Sequence, residues 1–223
     1  HIVRFFNLIG FDFLQGYGMT ECSPVISVHS PDDIEFGSVG RPLTNVEVRI
    51  HEEGPDGIGE IIVRGPSITR GYRGNPEKTA DLLRDGWLHT GDLGRLRDGH
   101  LWITGRRKNV IISGAGKNIY PEELEERLLE SDFVLEAIVF GRKRQTKLGE
   151  EIRAIVVPDL EELRVRGVDP KNPDTELVWK IMEEVVASVN AGMADFKRIE
   201  AFDVLMTELE KNSTKKVKRF LYK

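Results

Sequence analysis

Residues 16–21, Gly-Tyr-Gly-Met-Thr-Glu, place an aromatic ring, a hydroxyl and a carboxylate side by side. The two glycines let backbone come close to a ligand, and Tyr17 between them offers a flat face to a purine ring. Thr20 can donate its hydroxyl to a phosphate oxygen. Glu21 can hold Mg²⁺, a hard cation that prefers carboxylate and phosphate oxygens. A plain glycine turn leading into a helix capped at Thr20 would use the same letters.

Three later stretches carry related chemistry. In "DGWLHTGDLG" a strand-like passage ends at Thr90-Gly91-Asp92. Asp92 can accept hydrogen bonds from both hydroxyls of a ribose, or it can serve a local turn by accepting from backbone amides. "TGRRKNVIISGAGKN" joins a basic cluster to a glycine loop. Arg106 has the forked donors to reach a ribose or a phosphate, and Gly114 and Gly116 shape a loop that a slender ligand can approach. A solvated face and an ordinary turn are the plainer readings of those two features. The basic tail "NSTKKVKRF" reads as solvated by default, yet one lysine in it could swing onto a developing phosphate charge. Each stretch has a bland explanation by itself, but the four in this order do not.

These groups must be held by regular elements. Val46–Ile50 alternates apolar and charged residues as a half-buried strand does, and 60–65 and 100–105 are further strands. Turns rich in glycine separate them. Asn75 and Pro76 cap and start a short helix to Arg84. Short strands at this spacing predict a small barrel or curled sheet. Beyond residue 109 the texture changes. "YPEELEERLLES" is an amphipathic helix with Leu124 and Leu128 on one face. "EAIVFGR" and "IRAIVVPD" are compact strands, Asp174–Asn190 is a longer helix with Leu177, Ile181, Val185 and Val189 at helical spacing, and "IEAFDVL" is a final strand. The expected organisation is α+β: 1–105 as the end of a large domain, 106–109 as a hinge, and 110–223 as a smaller α+β domain.

Composition narrows the function. With 223 residues, 39% hydrophobic and 31% charged, the chain has the make-up of a globular protein. A balance of 32 basic and 37 acidic residues gives a net charge of -5 and argues against general nucleic-acid binding. A single cysteine, Cys22, cannot form an internal disulfide, lacks a partner base and fits a reducing cytoplasm. No apolar run approaches the ~20 residues of a membrane span, and no amphipathic anchor is evident for a peripheral attachment. His89 and His100 read as structural, since no second histidine or cysteine completes a metal site. The N-terminus has neither a signal peptide nor a starting methionine and reads as mid-protein.

Taken in order, "QGYGMTE", "GEIIVRGPSITRGY", "WLHTGDLG", "ITGRRKNVIISGAGKNIYPEELE" and "TKKVKR" resemble the successive core motifs of the adenylate-forming superfamily. That group includes acyl-CoA synthetases, peptide-synthetase adenylation domains and beetle luciferases. Within it, "GRRKNVIISGAGKNIYPEELE" is most similar in texture to long-chain fatty-acid–CoA ligases. The resemblance implies two half-reactions: a carboxylate attacks the α-phosphate of ATP to give acyl-AMP and pyrophosphate, and the thiol of coenzyme A then displaces AMP. It also implies residue roles. Tyr17 and Gly18 would flank the adenine, Thr20 would contact the α-phosphate, and Glu21 would hold Mg²⁺. Asp92 would bind the ribose hydroxyls, Arg106 the ribose or phosphates. Lys108 is at the hinge position, and Lys216 matches the lysine that bridges carboxylate and α-phosphate. The smaller domain would be mobile, rotating so that the glycine loop replaces the lysine at the site.

Three positions depart from the family's pattern. Asn109 stands where many members have an acidic residue, Ala115 aligns with the glycine beside the pantetheine tunnel (with Gly114 and Gly116 as neighbours able to serve), and Lys216 follows Lys215 rather than glycine, making Lys215 a rival. The glycine-, serine- and threonine-rich phosphate loop of the family is not among these residues. The chain is therefore expected to need a preceding part of the same enzyme and to be inactive alone. Two alternatives stay open: an acyl-AMP ligase that passes its acyl group to a carrier protein, and a non-catalytic regulatory module derived from such an enzyme.

Overall fold

The computed structural model describes residues 2–144 and 148–222. The chain divides into two compact units, His1–Lys108 and Asn109–Lys223, and the architecture is α+β in both.

The first unit opens with helix α1 (Ile2–Leu8), followed by the short strands β1 (Gly16–Gly18), β2 (Val25–Val28) and β3 (Arg41–Pro42), which pair antiparallel in that order. A larger antiparallel sheet follows, built from β4 (Glu47–His51), β5 (Gly59–Arg64), β6 (Leu83–Arg84), β7 (Trp87–Arg97) and β8 (His100–Arg106), with helix α2 (Pro76–Leu82) before β6. Its order is β4-β5-β7, with β6 and β8 both paired to β7. The sheet is open, so of the two expected forms it is the curled sheet and not a closed barrel. Alternation along β4 and continuous burial of Ile61, Ile62 and Val63 on β5 show why: β4 lies at an edge and β5 is interior. Ile26, Val46, Ile61, Val63, Leu88 and Leu101 form the core of the unit.

The expected start of α2 is found. The Asn75 side chain accepts the Lys78 amide at 3.1 Å, and Pro76 needs no amide partner in the first turn. Strand β7 differs from expectation, because the chain does not stop at Asp92 but runs on to Arg97. The glycine there marks a bulge inside one long strand rather than a strand end. Helix α1 adds to the expected elements, and in the sequence Ile2, Phe5, Phe6 and Ile9 recur at helical spacing along it and just past its end.

The second unit contains the two-residue strands β9 (Ile111–Ile112) and β10 (Asn118–Ile119), helix α3 (Pro121–Leu129), strands β11 (Val134–Lys143) and β12 (Glu150–Pro158), helix α4 (Thr175–Ala191) and strand β13 (Ala201–Val204). Strands β11 and β12 are antiparallel, and β13 returns parallel to β12 after the α4 crossover. Pro121 starts α3 with Glu122 and Glu123 in its first turn, and Leu124 and Leu128 are fully buried. Asp174 caps α4 by accepting from the amides of Glu176 and Leu177 at 3.0 and 3.3 Å. The expected row is in the core, with Ile181 and Val185 buried and Leu177 and Val189 packed against them, and the adjacent row Val178, Met182, Val186 is buried beside it. Truncating Leu128 to alanine in this core should destabilise the unit by about 2–5 kcal/mol. Among the described residues, no helix is long and apolar enough to cross a membrane.

Candidate active site

In the first unit the structure brings Tyr17, Asp92 and Arg106 together. Asp92 is presented by the bulge in β7: Glu60 faces Leu93 and Ile62 faces His89, so residues 90–92 are squeezed out of register. Bulges of this kind re-aim a side chain. Three bonds pin it. The Thr90 hydroxyl donates to the Ile61 carbonyl at 2.7 Å and accepts the Asp92 amide at 3.1 Å, while the Gly91 amide donates to Glu60 Oε1 at 3.1 Å. Gly91 has φ +72°, which a side chain would oppose.

The Asp92 carboxylate, almost completely buried, does not satisfy local amides as a turn aspartate would. Its Oδ2 accepts the Tyr17 hydroxyl at 2.6 Å, and its Oδ1 lies 2.6 Å from Arg106 Nε across the Asp92–Arg106 register pair of β7 and β8. Tyr17 stands between two glycines on β1. A side chain at Gly18 would begin 1.9 Å from the Pro24 carbonyl oxygen, so the close approach of residues 24–25 requires glycine there. Burial first, and then the Asp92 charge, push the Tyr17 phenol far above its ordinary range. It therefore serves Asp92 as a neutral donor.

Thr20 and Glu21 lie just beyond, in a single 3₁₀ turn, Thr20–Cys22. Thr20 does not cap it; the turn is preceded by extended Met19 with no side-chain cap bond. The exposed Thr20 hydroxyl is free among the described residues. Glu21 Oε1 accepts the Tyr72 hydroxyl at 2.6 Å, and the Glu21 carbonyl accepts the Thr69 amide at 2.8 Å. The carboxylate pushes the Tyr72 phenol above its ordinary value. Tyr72 was not singled out by sequence; only its place in "GPSITRGY", 51 residues from Glu21, could have pointed to it. No group of three potential ligands for a metal gathers among the described residues. Glu21 is thus a lone carboxylate with one oxygen held and the other open. That donor set suits Mg²⁺ carried in by phosphate oxygens, which needs only one or two carboxylates from protein. Cys22 is fully buried, and burial followed by the Glu21 charge push its thiol up to about 11, which leaves it unreactive.

Arg107 and Lys108 follow Arg106 in a 3₁₀ turn ending at Asn109. The Lys108 ammonium has no partner among the described residues. Asn109 is buried and donates from Nδ2 to Glu122 Oε1 at 2.8 Å. An aspartate here would set two carboxylates against each other, which gives the departure from the usual acidic residue a local cause.

In the second unit the glycine loop joins β9 to β10. The Ser113 amide donates to the Lys117 carbonyl at 3.0 Å and the Gly116 amide to the Ser113 carbonyl at 2.9 Å. Gly114, Ala115 and Gly116 are all exposed at its tip. Gly114 packs close to the Leu148 carbonyl, and Gly116 has φ +72°.

The basic tail is an ordered turn. Asn212 Oδ1 accepts the amides of Thr214 and Lys216 at 3.0 and 2.9 Å, and the Asn212 amide donates to the Lys216 carbonyl at 2.9 Å. Its flanks are tied down: Lys211 pairs with Glu136, Lys218 with Glu210, and Arg219 binds Glu125 through both terminal nitrogens at 3.0 and 2.6 Å. Lys215 and Lys216 are the exposed pair in this turn whose ammonium groups have no partner among the described residues. Lys215 sits at φ +59° with its amide donating to the Asn212 carbonyl at 2.9 Å, while Lys216 is held by both its amide and its carbonyl.

Comparisons with known proteins agree with this geometry. The AMP-binding enzyme family matches residues 1–73, and the AMP-binding enzyme C-terminal domain matches residues 123–216. A 2-succinylbenzoate–CoA ligase of Bacillus cytotoxicus is 46% identical over 144 residues, covering 61% of this chain and 30% of its own length. A long-chain-fatty-acid–CoA ligase of Salmonella typhimurium is 37% identical over 162 residues, covering 69% of this chain and 28% of its own. The chain thus spans about a third of the length of these curated relatives. The structure of O-succinylbenzoate coenzyme A synthetase from Bacillus subtilis in complex with AMP superposes with a TM-score of 0.81 at 31% identity, over 100% of this chain and 43% of that one. With both family matches falling on the two units that carry these side chains, the chain belongs to the adenylate-forming AMP-binding enzymes.

Proposed function

We propose that this chain is part of an ATP-dependent acid–CoA ligase, which activates a carboxylic acid as acyl-AMP and passes the acyl group to coenzyme A. The observation that carries this reading is the buried Asp92 carboxylate, set by a strand bulge between the Tyr17 hydroxyl and the Arg106 guanidinium. A carboxylate so fixed, with donors already in place, is suited to accept the hydroxyls of a ribose.

In this reading Tyr17 and Gly18 border the adenine, and Arg106 holds the ribose or phosphates beside Asp92. Thr20 donates its free hydroxyl to the α-phosphate. Glu21 would hold Mg²⁺ with its open oxygen while Tyr72 steadies the other; the ion supplies charge neutralisation on the phosphates. The carboxylate oxygen of the substrate bonds to the α-phosphorus as the bond to pyrophosphate breaks, and negative charge builds on the phosphoryl oxygens. Lys216 supplies the opposing charge. Its rival Lys215 is less fixed, since only Lys216 is bonded at both its amide and its carbonyl. In the second half-reaction the thiol sulfur bonds to the acyl carbon and AMP leaves. The exposed loop at Gly114, Ala115 and Gly116 borders the thiol's path, and Lys108 is the hinge between the two arrangements.

The finer assignment to a fatty acid rests on the texture of residues 105–125 and on the Salmonella relative, whereas the Bacillus relative is named for an aromatic acid. ATP–pyrophosphate exchange followed by thioester formation, run on the complete polypeptide with a panel of carboxylates, tests both levels. Exchange that depends on a carboxylate, with a CoA thioester as product, is expected, and fatty acids should lead the panel. Exchange without a thioester, or none with any carboxylate, would overturn the ligase reading.

A further inference from the structure

Glu60 is a carboxylate in the middle of an apolar run, buried at 5% exposure beside Ile61, Ile62 and Val63. Burying a charge there is costly unless donors surround it. Its Oε1 accepts the Gly91 amide at 3.1 Å; its Oε2 accepts His89 Nδ1 at 2.9 Å and Arg107 Nη1 at 2.7 Å. Arg107 is held from its other side by Glu52 at 3.0 Å. Burial opposes the charge on Glu60, but His89, Arg107 and the Gly91 amide outweigh it and hold its carboxyl below the ordinary value. Two of these donors matter by position. Gly91 immediately precedes Asp92, and Arg107 immediately follows Arg106.

Resting on the ribose reading above, we infer that Glu60 is a positioning residue, which through Gly91 and Arg107 aligns Asp92 with Arg106 for recognition of the ribose hydroxyls. A core residue chosen for packing alone would be apolar at this place on β5. A carboxylate bonded to the neighbours of both site residues fixes their spacing across the β7–β8 pair. Glu60 touches no substrate. Its effect is on the geometry of Asp92, so it should show in discrimination between ribose and deoxyribose rather than in affinity for phosphates.

The test is calorimetric binding of AMP and of 2′-deoxy-AMP to the complete polypeptide and to its Asp92→Asn and Glu60→Gln variants. The wild type should prefer AMP, Asp92→Asn should lose that preference, and Glu60→Gln should weaken AMP about tenfold with a smaller change for 2′-deoxy-AMP. If Asp92→Asn abolishes the preference and Glu60→Gln keeps it, Glu60 merely packs and the inference falls alone. If the wild type shows no preference, or Asp92→Asn retains it, the ribose reading falls and takes this inference with it. Should Glu60→Gln fail to fold, Arg107→Gln removes the other end of the pair at a half-exposed side chain. It should lower the same ratio, with the loss of Tm read separately by thermal unfolding, and an unaltered ratio would overturn the proposal.

Discussion

The two units treat their functional candidates in opposite ways. In the first, the carboxylates are spoken for: Asp92 is bonded to Tyr17 and Arg106, Glu21 to Tyr72, and Glu60 to His89, Gly91 and Arg107. In the second, Lys215 and Lys216 project from a turn whose backbone is fixed while their charges stay unpaired, although Lys211, Lys218 and Arg219 around them are all in ion pairs. On the proposed ligase reading, the difference follows from what each group would have to meet. A nucleoside presents the same hydroxyls in both half-reactions, so ordering its receptors beforehand lowers the loss of freedom on binding. A cation needed only while charge grows on phosphorus gains from having no competing carboxylate to leave.

Breaking the free charge should have the largest effect. Lys216→Ala in the complete polypeptide is expected to slow acyl-adenylate formation by on the order of 10²–10³, read by single-turnover quench. Lys215→Ala should stay within a few-fold of wild type; reversal of the two would move the role to Lys215. Loosening the turn while keeping the charge comes next. Asn212→Ala removes bonds that each contribute about 1 kcal/mol, and adenylation should fall several-fold together with a drop of a few degrees in the melting temperature of the second unit.

The paired side should reveal itself through pH. Glu60 has its carboxyl lowered in the folded state, so its contribution to stability is present above the ordinary carboxyl value of ~4.3 and is lost as pH falls through the lower folded value. Wild type should therefore exceed Glu60→Gln in Tm at pH 7, with the gap closing in acid. A gap independent of pH would assign Glu60 a packing role without charge. The smallest change concerns Cys22. Its thiol, pushed up to about 11, should resist alkylation at pH 8 until the protein unfolds.

Much of the scaffold was legible because it follows from local chemistry. Asn75 announced its helix by its capping side chain, and Val46–Ile50 its half-buried strand by alternation. The candidate residues were legible as motifs, but their relations were not. Tyr17 and Asp92 are 75 positions apart, Glu21 and Tyr72 51, and Glu60 and Arg107 47. Only the tertiary fold brings them together, since Tyr17 and Asp92 lie in separate sheets and Glu21 and Tyr72 lie outside any strand. The bulge at residues 90–92 was hidden because it depends on Glu60 and Ile61 of the neighbouring strand, and neither is adjacent to "HTGD" in sequence. The α4 stripe was legible in part: the expected row lies in the core, and the adjacent apolar row Val178, Met182, Val186 widens the buried face beyond it.

The most direct measurement of the contrast between fixed recognition and free charge is thioester formation from preformed acyl-adenylate and coenzyme A by Lys216→Ala. Transfer should remain within a few-fold of wild type while adenylation from ATP collapses, because the unpaired lysine acts only on the phosphoryl step. Loss of both half-reactions in parallel would contradict that division, and so would retention of both.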